Sequence, residues 1–229
     1  MKKILITRKL LKSSEEYASK IFNVQLNKDD KLLTKDELIS NSSECDGILS
    51  SLTEKFDADI ISKLSKKVKI ISNFAVGFGN IDLDAAKKKN IVVTNTPDVL
   101  TDATAEIAIL VLLGAARRAK EGMEWAKKKN WKWSADFLMG KQLTGSRLGI
   151  LGMGRIGRAV ADRARSFGMK IHYYNRSRLD SDLEKGANYH KSLESLLSVS
   201  DFFQLTALQQ RKQNILLIIK PLNIFQMEL

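Results

Sequence analysis

The sequence predicts an α/β protein built from two doubly wound parallel sheets, the second of them incomplete. Two observations lead to this fold class. Short apolar runs alternate with longer amphipathic stretches, which is the pattern of parallel strands covered by helices. The alternation occurs twice, and a long apolar helical segment separates the two series. The length of 229 residues is sufficient for two small domains of this kind.

The first series, residues 1–99, predicts a small doubly wound domain. Four apolar runs have the length of buried strands, and the stretches between them have helical spacing. Asp82 suits the N-cap of the last helix, because its carboxylate can accept the unpaired N–H groups of the first turn. The predicted strands are 3–7, 47–51, 70–74 and 91–95, and the predicted helices are 14–21, 35–40, 57–65 and 82–89.

A long apolar helix is predicted to follow. Thr101 or Asp102 can cap its start, and it extends to Arg118, where a cation favours the helix dipole. Residues 107–113 are apolar without interruption. Since a helix that is apolar on all faces is usually buried on all faces, we expect this helix to lie between the domains.

The second series begins at Arg147 and, with the long helix, forms the second predicted domain, residues 100–203. A strand at 148–151 leads into a glycine-rich loop, and Gly168 suits the end of the helix that follows. The predicted elements after the loop are a helix at 159–167, strands at 170–174, 187–190 and 201–205, and a helix at 192–198.

The glycine loop predicts a dinucleotide site. Residues 152–157 read Gly-Met-Gly-Arg-Ile-Gly, follow a strand and open a helix within a βαβ unit of about thirty residues. Gly152 permits the tight turn, Gly154 lets the backbone approach the pyrophosphate, and Gly157 lets helix and strand pack closely. The free N–H groups of the helix start then face the phosphates. The pattern indicates a Rossmann domain.

The strand after the loop indicates which dinucleotide is bound. An NAD site typically has an acidic residue about twenty positions on, at the tip of this strand, to accept the ribose 2′-hydroxyl. Here Tyr174 is followed by Asn175, Arg176, Ser177 and Arg178, with no acid. Guanidinium groups suit a 2′-phosphate. The sequence therefore favours NADP, with NAD as the open alternative.

Composition excludes several other classes. The formal net charge of +12 raises the possibility of nucleic-acid binding, but the lysine runs are scattered along the chain and fit solvated helix ends better. No apolar run is long enough to span a membrane, and the N-terminus does not read as a signal peptide. A single cysteine and the lack of a Cys/His cluster predict neither a disulfide nor a metal site. We expect a cytoplasmic protein.

Three ordered segments carry a resemblance to a known family. They are residues 73–82 (Asn-Phe-Ala-Val-Gly-Phe-Gly-Asn-Ile-Asp), residues 94–106 (Thr-Asn-Thr-Pro-Asp-Val-Leu-Thr-Asp-Ala-Thr-Ala-Glu) and the glycine loop. Together they resemble the D-isomer-specific 2-hydroxyacid dehydrogenases over residues 1 to about 203. The Asn-Arg-Ser-Arg ending at 175–178 is most similar to the glyoxylate/hydroxypyruvate reductase branch.

The resemblance implies a flavodoxin-like substrate domain, a Rossmann domain, an active site in the cleft between them, and a homodimer. It also implies hydride transfer between NAD(P)H and C2 of a small 2-oxo acid. The N–H groups of Val76 and Gly77 would bind the substrate carboxylate, and Leu100 would line the pocket. The implied cofactor-binding residues are Thr104, near the nicotinamide; Gly152, Gly154, Arg155, Ile156 and Gly157, at the pyrophosphate; and Asn175, Arg176, Ser177 and Arg178, at the 2′-phosphate.

The family's later catalytic residues, an arginine, a glutamate and a proton-donating histidine, have no counterpart here. His172 and His190 fall in strands of the second series, and we interpret both as structural. After Phe203 the family pattern stops, yet a one-base shift permits a re-reading of residues 204–229 that includes Cys-Pro-Ala-Thr and a closing Pro-Asn-Gly-Ala. We therefore expect 204–229 to be an out-of-frame tail, and the 229-residue chain to be poorly soluble and without reductase activity.

Three other hypotheses stay open at this point. A phosphoglycerate or formate dehydrogenase is an enzyme alternative, although residues 176–178 argue mildly against it. A non-catalytic dinucleotide-binding regulator, like the related transcriptional corepressors, belongs to a different class. A translated fragment without function is the third.

Overall fold

The computed structural model describes residues 1–128 and 133–206, and these form two compact units that divide between Asn95 and Thr96. All nine described strands belong to parallel sheets, which confirms the predicted α/β class. Most of the predicted tail, residues 207–229, lies outside the described residues.

Unit 1, residues 1–95, is a five-stranded parallel sheet in the order β2-β1-β3-β4-β5. Isoleucine and leucine side chains of β1, β3 and β4 are buried with those of α3, which produces one continuous core. Asp57 and Asp82 cap their helices by accepting N–H groups, as predicted for Asp82. The elements are β1 Lys3–Ile6, α1 Lys12–Ile21, β2 Asn23–Leu26, α2 Lys35–Asn41, β3 Gly47–Ser51, α3 Ala58–Lys63, β4 Ile70–Phe74, α4 Leu83–Lys88 and β5 Val92–Thr94.

Unit 2 begins at Thr96 and contains a four-stranded parallel sheet in the order β8-β7-β6-β9. Its core joins β6 and β7 to the small side chains of α7 and to one face of α5. The elements are α5 Thr101–Ala116, α6 Ala119–Lys127, β6 Arg147–Leu151, α7 Arg155–Ser166, β7 Lys170–Tyr174, α8 Ser181–Glu184, β8 Asn188–His190, α9 Leu193–Val199 and β9 Phe202–Leu205.

The unit boundary lies four residues before the predicted one. Residues 96–99 were expected in the first domain, but they belong to unit 2. Asp98 forms an ion pair with Arg155 at the start of α7, with Oδ1 and Nε 2.7 Å apart. This contact, which no local sequence pattern reveals, joins the segment to the glycine loop.

The long helix differs from its prediction in two ways. Its N-cap is Leu100 and no side chain caps it, so neither Thr101 nor Asp102 has the predicted role. It also ends at Ala116, because Arg118 adopts a left-handed backbone (φ +51°) before α6 begins. Only one face of α5 is buried in unit 2, and Leu110 and Val111 are each 63% exposed. Apolar composition on every face therefore does not produce burial on every face within this unit.

Strand β9 completes the described sheet next to β6. Asp201 accepts the backbone N–H of Arg147 at 2.9 Å and the Arg147 guanidinium at 3.0 Å, which aligns the starts of the two strands. These bonds hold the pKa of Asp201 well below its usual range. The first residues of the predicted tail, Gln204 and Leu205, pair with β6, and Thr206 donates its hydroxyl to the carbonyl of Gly152.

Candidate functional site

The turn between β6 and α7 presents a cluster of backbone N–H groups. Gly152 has a φ of +96°, in the left-handed region that glycine tolerates best, and it starts the turn. Gly154 is the N-cap of α7, and the first intrahelical bond runs from Arg158 N–H to the Gly154 carbonyl. The N–H groups of the first turn therefore have no acceptor within the helix. Together with the positive end of the helix dipole, they favour the binding of an anion.

Two glycines of this turn differ in what a side chain would meet. A Cβ added to Gly154 would have no heavy atom within 4 Å, whereas a Cβ added to Gly157 would lie 2.2 Å from the Gly152 carbonyl oxygen. Gly157 therefore permits close packing of helix against strand, while Gly154 leaves open space next to the N–H groups. The residues present fit a dinucleotide pyrophosphate, and the predicted roles of the individual residues stay predictions.

Arg155 and Ile156 follow Gly154 at the first turn of α7. Ile156 packs against the unit 2 core, so its backbone is well fixed. The Arg155 guanidinium is 64% exposed and pairs with Asp98, whose φ of +70° is uncommon for a residue other than glycine. A carboxylate next to the candidate phosphate site is a feature that the sequence interpretation missed. Asp98 sits in a Pro-Asp-Val sequence that contains no local signal for this pairing.

We expect Asp98→Asn to tighten NADPH binding about two- to fivefold at low ionic strength, the range of one exposed charge pair. The substitution removes a negative charge next to the pyrophosphate site, and asparagine tolerates the left-handed backbone. Titration of both proteins with NADPH at low and high salt measures the effect. Asp102→Asn is a matched control, because Asp102 pairs with Arg163 instead of Arg155. Weaker binding by Asp98→Asn would instead make Asp98 a residue that positions Arg155.

Asn175 connects the tip of β7 to the glycine loop. Its side-chain oxygen accepts the backbone N–H of Met153 at 2.8 Å, and the N–H of Gly152 bonds to the Tyr174 carbonyl at 3.1 Å. The residue that was predicted to bind cofactor therefore also shapes the loop. The segment after β7 and the loop after β6 are held together at one end of the sheet.

Two arginines, Arg176 and Arg178, follow β7, and Arg178 is bound to a buried carboxylate. Arg178 donates from Nε and Nη2 to the two carboxylate oxygens of Glu184, each at 2.9 Å. Arg176 and Ser177 are exposed and precede this pair in the same segment. Glu184 is buried, at 6% exposed, and was not predicted to take part. The arginines carry positive charge to the strand tip, and Glu184 anchors Arg178 there.

Glu184 is the centre of a buried polar network. Its carboxylate accepts the hydroxyl of Tyr173 as well as the guanidinium of Arg178. The Arg178 and Tyr173 hydrogen bonds lower the pKa of Glu184 to about 2. Burial, together with the bond to Glu184, raises the pKa of Tyr173 to about 12. Both groups therefore keep one protonation state across neutral pH.

This network predicts a loss of stability in acid. Because the pKa of Glu184 is lower in the folded chain than its ordinary 4.5, its contribution is fully present above about pH 4.5 and is lost as the pH falls toward about 2. We expect the difference in Tm between the native chain and Glu184→Gln to shrink as the pH is lowered from 7 to 3. Thermal unfolding followed by circular dichroism measures it, and a difference independent of pH contradicts the assignment.

Unit 1 has its own candidate anion site in the loop after β4. The side-chain amide of Asn73 donates to the Gly77 carbonyl at 2.9 Å, and that of Asn95 donates to the Val76 carbonyl at 2.8 Å. The N–H groups of Val76 and Gly77 donate no hydrogen bond to another described residue. The two amides hold the Val76 and Gly77 carbonyls, and the binding of a carboxylate by the N–H groups stays a prediction. The sequence named Val76 and Gly77 but not the asparagines that orient them.

The other predicted residues lie at the start of α5. Leu100 is 36% exposed and precedes the helix, and Thr104 is half-buried in its first turn, with its N–H bonded to the Leu100 carbonyl. Both belong to unit 2, whereas Val76 and Gly77 belong to unit 1.

The two histidines form a pair in unit 2. Nδ1 of His172 lies 2.9 Å from Nε2 of His190, and Nδ1 of His190 lies 2.8 Å from the hydroxyl of Ser195. Burial lowers the pKa of His172, so its neutral form is favoured. The two rings hydrogen-bond each other, and the interpretation of both histidines as structural stays a prediction.

Within the described ranges, no helix combines the length and the hydrophobicity needed to cross a bilayer. The same part of the chain contains no group of three His, Cys, Asp or Glu side chains suited to a metal ion.

Comparison with known proteins gives a consistent result. Residues 4–220 match the family described as D-isomer specific 2-hydroxyacid dehydrogenase, catalytic domain. A glycerate dehydrogenase from Hyphomicrobium methylovorum is 43% identical over 90% of this chain and 65% of its own length. A glyoxylate reductase from Thermococcus litoralis is 41% identical over 89% of this chain and 62% of its own length.

A solved structure from Polaromonas sp. JS6 66, assigned as a D-isomer specific 2-hydroxyacid dehydrogenase, NAD-binding, matches with a TM-score of 0.83 and 42% identity. That match covers 92% of this chain and 66% of the other. The chain thus spans less than two thirds of the length of these relatives.

Proposed function

The chain belongs to the D-isomer specific 2-hydroxyacid dehydrogenase family, and from this premise we propose that it serves the NADP(H)-dependent reduction of a small 2-oxo acid of the glyoxylate or hydroxypyruvate type. The contrast between Gly154 and Gly157 carries the proposal. Of the two glycines, Gly157 is required for packing, and Gly154 leaves open space beside N–H groups that donate to no other described residue. That combination suits a bound pyrophosphate.

The proposed preference for NADP rests on the residues at the tip of β7. Arg176 and Arg178 bring two positive charges to a position where an NAD site has a carboxylate. The Polaromonas relative has NAD-binding in its name, and NAD is the alternative cofactor for this chain. In this chain the charges favour a 2′-phosphate.

The substrate's carboxylate is assigned to unit 1. The N–H groups of Val76 and Gly77 offer two adjacent donors, and the amides of Asn73 and Asn95 hold the loop in that conformation. Leu100 is assigned to the wall of the pocket. A carboxylate that accepts two backbone N–H groups is well oriented, which is what a 2-oxo acid needs for stereospecific reduction.

When bound, a nicotinamide supplies the hydride for C2 of the substrate, and Thr104 is assigned to its neighbourhood. Reduction of the C2 carbonyl also needs a proton donor for its oxygen. The chain has two histidines, and each hydrogen-bonds the other. We therefore propose that these 229 residues by themselves bind cofactor without completing the reduction.

A titration with two cofactors and one substrate tests these proposals. The 229-residue chain is expected to bind NADPH more tightly than NADH in a fluorescence titration, and to show no NADPH oxidation with glyoxylate. Tighter binding of NADH would refute the cofactor assignment. Measurable turnover would refute the assignment of both histidines as structural. Absence of binding by either cofactor would favour the fragment hypothesis.

We assign the exposed face of α5 to a homodimer contact. Ile107 is 59% exposed and Leu110 and Val111 are each 63% exposed on this helix, an apolar patch that a soluble monomer rarely presents. Sedimentation analysis is expected to report a dimer, and a monomer at micromolar concentration would contradict the assignment.

Because the two histidines hydrogen-bond each other, neither is assigned as a proton donor. This favours a second candidate, a non-catalytic regulator that responds to the dinucleotide. In that case NADPH would bind without turnover, as above, even when the reading frame after Phe203 is altered to encode the family continuation. Turnover by that altered protein distinguishes the enzyme from the regulator.

A further inference from the structure

Glu184, at the end of α8, contacts the segment that carries the cofactor-selecting charges but cannot itself attract a phosphate. We propose that Glu184 is a positioning residue that holds Arg178 in the orientation required by the 2′-phosphate, and so sets the preference of this chain for NADPH over NADH. This inference rests on the proposed NADP binding.

The geometry of the pair leaves part of the arginine available. A guanidinium has five N–H donors in a rigid planar fork. Arg178 uses Nε and Nη2 to engage Glu184, so the donors on its opposite edge point away from the carboxylate. The Arg178 side chain is 67% exposed, whereas that of Glu184 is 8% exposed. The buried acid therefore fixes one edge of the arginine, and the other edge faces solvent.

The position of Glu184 is itself determined by several elements. The hydroxyl of Tyr173, in β7, donates to Glu184 and accepts the N–H of Leu179 at 3.0 Å. Arg165, in α7, donates to the Glu184 carbonyl at 2.8 Å. The segment between β7 and α8 is thus tied to the sheet and to the helix that follows the glycine loop. A flexible arginine would lose side-chain entropy on binding phosphate, and this network reduces that loss.

A competing effect has the opposite sign. The carboxylate of Glu184 neutralises part of the charge of Arg178, and its removal alone would strengthen attraction to a phosphate. Orientation dominates in our proposal because the carboxylate is buried beneath the arginine while the outer edge of the guanidinium is exposed. The two effects predict opposite changes in NADPH affinity, so one measurement separates them.

The test uses Glu184→Gln in the full 229-residue chain, with NADPH and NADH titrated separately. A glutamine amide presents an N–H₂ group to one of the two arginine donors, which breaks the two-point contact. NADPH binding is expected to weaken roughly tenfold, while NADH binding changes less than about twofold. Glu194→Gln is the matched control, since it changes the same charge on an exposed acid in α9.

A second variant and a double mutant keep the result interpretable. Tyr173→Phe removes one bond to Glu184 and is expected to weaken NADPH binding to a smaller extent, again without an effect on NADH. In an Arg178→Ala background, Glu184→Gln is expected to have no further effect, because the two residues act through one contact.

Three results would overturn the inference: tighter NADPH binding by Glu184→Gln, an equal loss for both cofactors, or an undiminished effect in the Arg178→Ala background. The first makes Glu184 a counter-charge and the second makes it only structural. If the native chain already binds NADH as tightly as NADPH, the proposed cofactor fails, and that outcome is visible before any variant is made.

Discussion

Gly154→Ala is expected to leave unit 2 folded and to weaken dinucleotide binding at least about tenfold, whereas Gly157→Ala is expected to destabilise the fold itself. The backbone of Gly154 has a φ of −74°, which alanine adopts without strain, and no heavy atom lies within 4 Å of the added Cβ. A methyl group there occupies the space that the pyrophosphate needs in order to reach the N–H groups.

The Cβ of Gly157→Ala would lie 2.2 Å from the carbonyl oxygen of Gly152, so helix α7 must move away from strand β6. Overpacking of this kind typically costs about 1–3 kcal/mol. Thermal unfolding and NADPH titration of both variants separate the two effects. Gly114→Ala is a control for the glycine-to-alanine change, because its Cβ meets only one atom, at 3.9 Å. Native affinity in Gly154→Ala would show that the open space is not a ligand site.

The second large effect concerns the charges after β7. The double substitution Arg176→Ala with Arg178→Ala is expected to weaken NADPH binding at least about a hundredfold, because each arginine's charge-assisted bonds to a phosphate contribute about 1.5–3 kcal/mol. NADH, which lacks the 2′-phosphate, should bind with nearly unchanged affinity. Parallel titrations with both cofactors measure the ratio.

Ionic strength provides an independent check on the same variant. Since the guanidinium groups are exposed, salt screens their attraction to a phosphate, and the gap between the native and double-substituted chains should narrow at high salt. An equal loss of NADH and NADPH would indicate that the arginines stabilise the loop instead of reading the 2′-phosphate.

Much of the fold was accessible from local sequence patterns. Strands β3 and β4 each contain adjacent apolar residues, Ile48–Leu49 and Ile70–Ile71, and Asp82 caps the helix that follows it. Three elements were missed for a common reason. Strand β2 lies at a sheet edge and is only partly buried, α8 is a single turn, and α6 is separated from α5 by the left-handed Arg118. Their formation depends on neighbours instead of on their own hydrophobic pattern.

The glycine loop was predicted in part from the sequence, and the tertiary structure added its contacts. Its sequence alone indicated a tight turn, a phosphate contact and a close helix–strand contact, because each glycine requirement arises from backbone sterics within a short segment. Only the tertiary structure showed that Gly157 closes against Gly152, that Asp98 pairs with Arg155, and that the buried Glu184 holds Arg178.

The sequence by itself determined the α/β class, the dinucleotide loop and the positive charge at the tip of β7, because these depend on periodicity and on residues adjacent in the chain. The tertiary structure decided the ion pairs at the glycine loop and after β7, and the amides that orient the loop after β4. Their partners are up to 57 residues apart in the chain, as Asp98 and Arg155 are. Such pairs form only after the strands and helices have packed, so no local pattern in the sequence specifies them.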